Sequence, residues 1–303
     1  MSTMDPGAHQ AFDGFVRWSI QEELPAAPSF LPPGELESFQ DYYRTLPAAD
    51  DEAAARRYIR GFWRGEAGWA SRWIAHRRRA GADAAGGEVR VLDAGSGFGT
   101  HSMLFGAMGA EVTGVDLRPD RLSAAERRLR FYRERTGRDL HVRYARADLT
   151  RPWDQDCDLV WVYNALSHID PLEDFLRLTR EHLRPGGVLV VGDINGSHST
   201  HVRRLALLRS EVHQEYVAPD GERHAYAVER LFPPEELRDI LAGQGFRVVH
   251  HELYWFGLSR LPDAVYDGVM VPLQRQWKLG VSVARRQLMV ATPDPAGSHR
   301  GRA

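Results

Sequence analysis

The hydrophobic pattern changes texture near residue 88. Before it, apolar positions recur at helical spacing and no stretch alternates as a strand would. A helix is expected near 8–23 and a shorter one near 34–46, with Pro25, Pro28, Pro32 and Pro33 marking a turn-rich stretch between them. The strongest segment opens on Asp50 and Asp51, suited to capping and to the first helical turn. It then sets Tyr58, Ile59, Phe62, Trp63, Trp69, Ala70, Trp73 and Ile74 on one stripe. Gly61, Gly65 and Gly68 predict a break within it. The glycine-rich stretch 81–87 reads as a linker, which sets the expected division: a helical cap over 1–87 and a second domain over 88–303.

From Glu88 short apolar runs alternate with amphipathic segments, the pattern of strand and helix units that build a parallel sheet. Strands are expected at Val89–Leu92, Glu111–Val115, Leu140–Tyr144, Asp158–Tyr163 and Val188–Val191, with helices near 99–109, 120–136 and 171–183. Arg184-Pro185-Gly186-Gly187 stops the last of these helices. A helical stretch near 199–215, a hairpin around Asp220-Gly221 and a helix from Pro233-Pro234 follow. Strands Phe246–Trp255 and Gln287–Ala291 close the sheet, with a helix and loop inserted near 256–285 and a loose tail from Pro293. The fold class is α/β: a doubly wound, seven-stranded, mostly parallel sheet behind an N-terminal helical cap.

Composition changes this picture little. Hydrophobic residues at 43% and charged residues at 26% of 303 positions suit a globular core and exclude a disordered, collagenous or coiled-coil chain. Thirty-nine basic against forty-one acidic residues leave a net charge of −2, too little field to draw in nucleic acid or anionic lipid. No apolar run reaches the roughly 18 residues of a membrane helix. Met1 to Gln10 lacks the basic and apolar regions of a secretion signal, so a soluble, cytoplasmic protein is expected. The single cysteine, Cys157, fits a reducing compartment.

The chemistry concentrates between the first strand and the first helix of the sheet. Asp93-Ala94-Gly95-Ser96-Gly97-Phe98-Gly99-Thr100 is a glycine-rich turn, where backbone approaches a ligand closely and a helix start offers free N–H groups. Asp116, twenty-one residues after Gly95 at the end of the second strand, is placed to accept both hydroxyls of a ribose. The dinucleotide fingerprint G-x-G-x-x-G would need glycine or alanine where Thr100 stands, so the spacing favours a nucleoside over a nicotinamide dinucleotide.

In these residues the chain resembles the class I S-adenosylmethionine-dependent methyltransferases over about two thirds of its length. The motifs are Asp93-x-Gly95-x-Gly97-x-Gly99, Gly114-Val115-Asp116-Leu117, Ala147-Asp148-Leu149, and Leu183-Arg184-Pro185-Gly186-Gly187. Asn164-Ala165-Leu166-Ser167-His168-Ile169-Asp170-Pro171 is similar to a looser pattern of the same family. The resemblance implies a Rossmann-like methyltransferase fold with S-adenosyl-L-methionine as cofactor. It assigns Asp93 and the glycines to the cofactor's amino-acid end, Asp116 to its ribose, and Asp148 to the adenine amino group. Leu117 and Leu149 would sandwich the adenine ring, and Asn164 would lie by the ammonium and the reacting methyl. The expected function is methyl transfer to an oxygen or nitrogen of a small molecule. Methylation of RNA or protein is one alternative, and a non-catalytic cofactor-binding protein is another.

A hydroxyl acceptor needs a base. His168, His198 and His201 are the candidates, all expected near strand ends on the substrate side, with His168 ranked first. Metal-dependent catechol-type relatives carry Asp at the end of the fourth strand and an adjacent Asp-Asn pair after the fifth. Here Asn164 and Asp193-Ile194-Asn195 take those places, and no metal is expected. The Asn-Pro-Pro-Tyr type motif of exocyclic-amine methyltransferases is absent after Asn164. His250 and His251 are adjacent on a strand and point to opposite faces, which argues against a shared metal. The cap, residues 1–80, is expected to close over the substrate as a lid, although core packing suits most of its aromatics, Phe15 and Trp18 among them, and Arg77, Arg78 and Arg79 suit a solvated helix end.

Overall fold

The structure, a computed structural model, describes residues 6–82, 88–198, 213–217, 221, 223–227, 230–254 and 284–295. The chain forms two compact units, Met1–Ala147 and Asp148–Ala303.

The first unit opens with α1 (Pro6–Trp18), which buries Phe12, Phe15 and Val16 along one face. A π turn, Ser19–Glu23, follows, in which the Leu24 N–H donates to the Ser19 carbonyl. Pro25 has no N–H, and its ring would press on a carbonyl one regular turn back; the widened turn accommodates both. The chain then continues as α2 (Leu24–Phe30), with Pro25 in its first turn and Pro28 inside it. The stretch expected as turns is therefore helical up to Phe30: the π turn accommodates Pro25, and the stacking of Phe30 on Phe131 holds the segment through Pro28. After α3 (Pro33–Tyr43), Asp51 caps α4 (Glu52–Arg64) by accepting from the Ala54 N–H at 2.9 Å. The predicted break falls at Gly65, and α5 (Glu66–Ala82) begins beyond it.

The unit's strands are β1 (Arg90–Ala94), β2 (Glu111–Asp116) and β3 (Val142–Arg146), in the order β3-β2-β1 with parallel pairing. Helices α6 (Thr100–Ala107) and α7 (Pro119–Thr136) make the crossovers. β3 starts two residues later than expected: Val142 N–H turns back to the Leu140 carbonyl at 2.7 Å, and Leu140 is buried ahead of the ladder. The cap aromatics pack as core. Phe30 stacks on Phe131 at 4.4 Å between centroids, and Trp18 meets Tyr132 edge-on at 4.7 Å. Arg78, expected only to be solvated, donates to the Met108 carbonyl at 2.8 Å and closes the end of α6.

The second unit holds β4 (Cys157–Tyr163), α8 (Leu172–His182), β5 (Leu183–Ile194), β6 (His213–Val217), β7 (Arg223–Ala227), α9 (Pro234–Gly243), β8 (Phe246–Tyr254) and β9 (Arg286–Pro293). Its main strands run in the order β4-β5-β9-β8; β4 and β5 are parallel, and β9 is antiparallel to both its neighbours. Counted over both units, the main strands among the described residues number seven, and most of the pairings within the units are parallel, in keeping with the expected fold class. Leu159 to Val162 and Leu189 to Val191 are wholly buried, the continuous apolar run of strands covered on both faces.

Three expectations are corrected here. The Arg184-Pro185-Gly186-Gly187 segment lies within β5, where the pairing skips register between Cys157 and Leu159, instead of forming a loop before it. Residues 213–215, expected at the end of a helix, belong to β6, which pairs antiparallel with β7; of the turn expected between them Gly221 is described and Asp220 lies outside the described residues. Pro293 pairs with Phe246, and the Asp294 N–H donates to the Gly245 carbonyl at 2.8 Å, so the chain is still tied down there. His201, the rest of the 199–215 stretch and the 256–283 part of the insertion lie outside the described residues, as do 296–303 of the tail.

Candidate functional site

In the first unit the glycine turn departs from β1 as predicted. Gly95, Gly97 and Gly99 have φ of 76°, 52° and 75°, the left-handed region that side chains disfavour. A Cβ on Gly99 would collide with the Tyr144 hydroxyl, whereas one on Gly97 would meet nothing nearer than Arg121 at 4.0 Å. The loop is thus backed by protein at Gly99 and open at Gly97, where a ligand can approach. Gly97 N–H donates to Asp116 Oδ2 at 2.8 Å, and Arg118 N–H to Asp116 Oδ1 at 2.9 Å. These bonds fix the carboxylate's orientation and leave each oxygen a further lone pair for a hydroxyl. Leu117 follows it directly, partly buried.

Asp93 lies beneath the loop, 2% exposed, and accepts from Ser102 Oγ–H at 2.5 Å. Burial pushes its pKa up to about 7; the Ser102 bonds oppose this and the neighbouring Asp116 charge adds to it. A buried carboxyl in this state matches a cationic ligand, whose charge would restore its ionisation. Three glycines that keep the backbone open, a diol-accepting carboxylate and a buried acid together fit S-adenosylmethionine.

In the second unit Asp148 Oδ1 accepts from Thr150 N–H at 2.9 Å and Thr150 Oγ1 at 2.7 Å, with Arg151 at 3.7 Å from Oδ2. Leu149 beside it is partly buried. Asn164 ends β4 with φ of 52°, a conformation that asparagine tolerates better than most residues. Its Oδ1 accepts from Arg286 Nη1 at 2.6 Å, and the same guanidinium lies 4.3 Å from the centre of the Tyr163 ring. Asp193, near the end of β5, is 3% exposed and accepts from the Ile194 N–H at 2.7 Å. Burial raises its pKa, against the pull of the Ile194 amide, the Arg286 and His168 charges and the Ser167 amide. His168 stands exposed on a short 3-10 turn, Leu166–His168, with its charge acting on Asp193.

The second unit therefore brings Asn164, His168 and Asp193 into one neighbourhood together with Arg286. His198 does not have the exposed helix-start setting expected of it: it lies in a turn after Asn195, is buried, and its pKa is lowered by burial and then by Arg285. Cys157 is no nucleophile, since burial pushes its thiol up to about 12. Among the described residues no three His, Cys, Asp or Glu side chains group as metal ligands would.

Sequence reasoning missed Arg286, Arg128 and Glu23. Arg286 opens β9, 122 residues from Asn164, and only the antiparallel register with β5 brings it to the strand ends. An arginine pair, Arg285-Arg286, before an apolar run carries no local signal.

Fold and loop together define a doubly wound domain with a nucleoside cofactor site at the turn after its first strand. Residues 92–189 match the family model described as a methyltransferase domain, and the chain spans under two thirds of the length of the first relative it matches. It is 30% identical over 169 residues to a ubiquinone biosynthesis O-methyltransferase of Ruegeria pomeroyi, covering 55% of this chain and 64% of that protein. A ubiquinone biosynthesis O-methyltransferase of Azorhizobium caulinodans is 25% identical over 205 residues, 68% of this chain and 72% of that one. A solved S-adenosylmethionine-dependent methyltransferase from Clostridium acetobutylicum aligns over 85% of this chain and 98% of its own, with 14% identity and a TM-score of 0.49.

Proposed function

We propose that this protein is an enzyme that transfers the methyl group of S-adenosylmethionine to a hydroxyl oxygen of a small molecule. The observation that carries the proposal is the glycine turn bonded to Asp116 through the Gly97 amide, above a buried Asp93. The acceptor is inferred from the relatives named as O-methyltransferases and from a histidine beside a buried carboxylate.

When bound, the cofactor supplies a methyl on a sulfonium, a leaving group that needs no acid. The chain's own residues bind and orient, and they handle one proton. Asp116 takes the ribose, Asp93 and the loop the amino-acid end, Asp148 with Leu117 and Leu149 the adenine, and Asn164 the ammonium side. His168 accepts the hydroxyl proton at a ring nitrogen, and the Asp193 charge stabilises the imidazolium that forms. Arg286 holds Asn164 in its left-handed conformation and keeps Asp193 from drawing the proton away.

A small acceptor also fits a net charge of −2, which gives RNA little to bind. A cytoplasmic setting fits the single cysteine, a free and buried thiol. No described helix is long and apolar enough to cross a membrane. The test is transfer of labelled methyl from the cofactor to pooled hydroxylated metabolites, RNA and protein fractions. Label in the small-molecule pool is expected; label confined to RNA or protein, or no cofactor binding by calorimetry, overturns the proposal.

A further inference from the structure

Arg128 of α7 and Glu23 of the π turn are both fully buried. Arg128 Nε and Nη2 donate to the two Glu23 oxygens at 2.8 Å each, and Ser19 Oγ–H adds a bond to Glu23 at 2.6 Å. An ion pair taken wholly out of water is weak evidence of stabilisation, since apolar replacements of such pairs are often neutral or better. The pair's other bonds suggest what else it does.

Arg128 Nη1 donates to the Phe98 carbonyl, to Thr100 Oγ1 at 2.8 Å and to the Tyr43 hydroxyl at 3.2 Å. Phe98 stands between Gly97 and Gly99 of the cofactor loop, and Thr100 opens α6. The guanidinium lies over Phe39 at 5.0 Å and Tyr43 at 5.4 Å, both on α3, and the Phe98 ring packs edge-on against Phe39 at 5.6 Å. Phe98 forms one buried cluster with Ala27, Leu31 and Phe39. On the loop's other side, the Gly97 amide holds Asp116. One planar group thus joins the π turn, α3 and the cofactor loop, and the next bond along the loop reaches the carboxylate assigned to the ribose.

We propose that Arg128 is a positioning residue for the cofactor, held in place by Glu23 so that the N-terminal helices set the shape of the glycine loop. The inference rests on the cofactor assignment above. It makes the helices before the sheet part of the cofactor site without their touching the ligand. Phe98 turns its carbonyl to Arg128 and its ring to the helices, which leaves the amide of Gly97 aimed at Asp116. If Arg128 loses its fork, the loop keeps its glycines but loses the contact that selects one of their many conformations.

The test is calorimetric titration with S-adenosylhomocysteine, alongside thermal unfolding, on the full chain. Wild type binds it; failure to bind would refute the cofactor assignment itself. Arg128→Lys keeps a charge opposite Glu23 but loses the planar fork, and should weaken binding on the order of tenfold or more. Glu23→Leu combined with Arg128→Met removes both charges, and its unfolding midpoint should return close to wild type while binding stays as weak as in Arg128→Lys. Hydrogen exchange at Gly97 and Gly99 should speed up in both variants. Should the double variant not fold, Arg128→Lys and its exchange rates decide alone. Wild-type affinity in Arg128→Lys, or affinity that recovers with the melting temperature in the double variant, would reduce the pair to a packing element and overturn the proposal while leaving the cofactor assignment standing.

Discussion

The two units meet charge at their strand ends by different means. At the ends of β1 and β2, Asp116 is held by the amides of Gly97 and Arg118, and left-handed glycines shape the turn. At the ends of β4 and β5, charge is met by side chains brought from afar: Arg286 bonds Asn164, and both it and His168 act on buried Asp193. The difference matches the tasks proposed for these residues. Holding a cofactor requires fixed dipoles, which backbone supplies without titrating. Taking a proton requires a group whose charge changes, and its neighbours must tolerate both states.

If that division is right, the largest effect on rate belongs to the second unit. His168→Ala should lower kcat by about 10² to 10⁴ while cofactor affinity stays at its wild-type value. Asp193→Asn should lower kcat less and move the acidic limb of the pH-rate profile, because the imidazolium loses its counter-charge. Unchanged kcat in His168→Ala would leave alignment of an already ionised acceptor as the mechanism and remove the contrast between the units.

Asp93 is the first unit's exception, a titrating group beneath a backbone site, and stability measures it. Its folded pKa of about 7 lies above the ordinary 3.8, so the folded state binds the proton more tightly than the unfolded chain does. Its favourable contribution is full below pH 3.8, falls as pH rises, and is gone above about 7. At about 1.4 kcal/mol per pH unit, the change across that window is on the order of 4 kcal/mol. His251, depressed to about 4 by burial and then by Arg238 and His250, works in the opposite sense and costs stability as pH falls from 6.5. The informative quantity is therefore the difference between wild type and Asp93→Asn in denaturant titrations at several pH values, where the His251 contribution cancels. Parallel curves would mean that Asp93 is ionised in the free protein.

Asp116→Ala should have a smaller effect, confined to binding. Losing bonds from ribose hydroxyls to a charged acceptor costs about 1.5 to 3 kcal/mol, on the order of tenfold to a hundredfold in affinity. Calorimetry with S-adenosylhomocysteine checks it, and NAD binding tighter than that of the nucleoside would contradict the assignment at its root.

The same contrast explains what could be seen in the sequence. The glycine turn, Asp116 and Gly221 between β6 and β7 are local: the residues that need a special backbone conformation are the ones that announce it. The Asp51 cap and the Gly65 break were legible for that reason. The helix through Pro25 and Pro28 was not, because the prolines argue against it and only the π turn before them and packing on α7 decide otherwise. The late start of β3 depends on where Leu140 is buried, a tertiary fact. Glu23 and Arg128 are 105 residues apart, and nothing near either one indicates the other. Arg286 is hidden in the same way.

Divalent metal should have no effect, and the reason lies in the arginine that sequence reasoning missed. Asn164 stands where metal-dependent relatives carry Asp, and its amide oxygen is an uncharged ligand that already accepts from Arg286 at 2.6 Å. The buried carboxylate Asp193 feels the same guanidinium charge. A divalent ion would have to share this partly buried space with a permanent cation, and like charges in a low dielectric repel by several kcal/mol on the order of Coulomb's law. Dialysis against chelator should leave the rate unchanged, and added magnesium should not raise it. Arg286→Met should lower activity by freeing Asn164 from its left-handed conformation, without creating a magnesium requirement. Activity that is lost on chelation and restored by magnesium would show that the guanidinium leaves the site when substrate arrives, and the second unit would then meet charge with a metal in place of distant side chains.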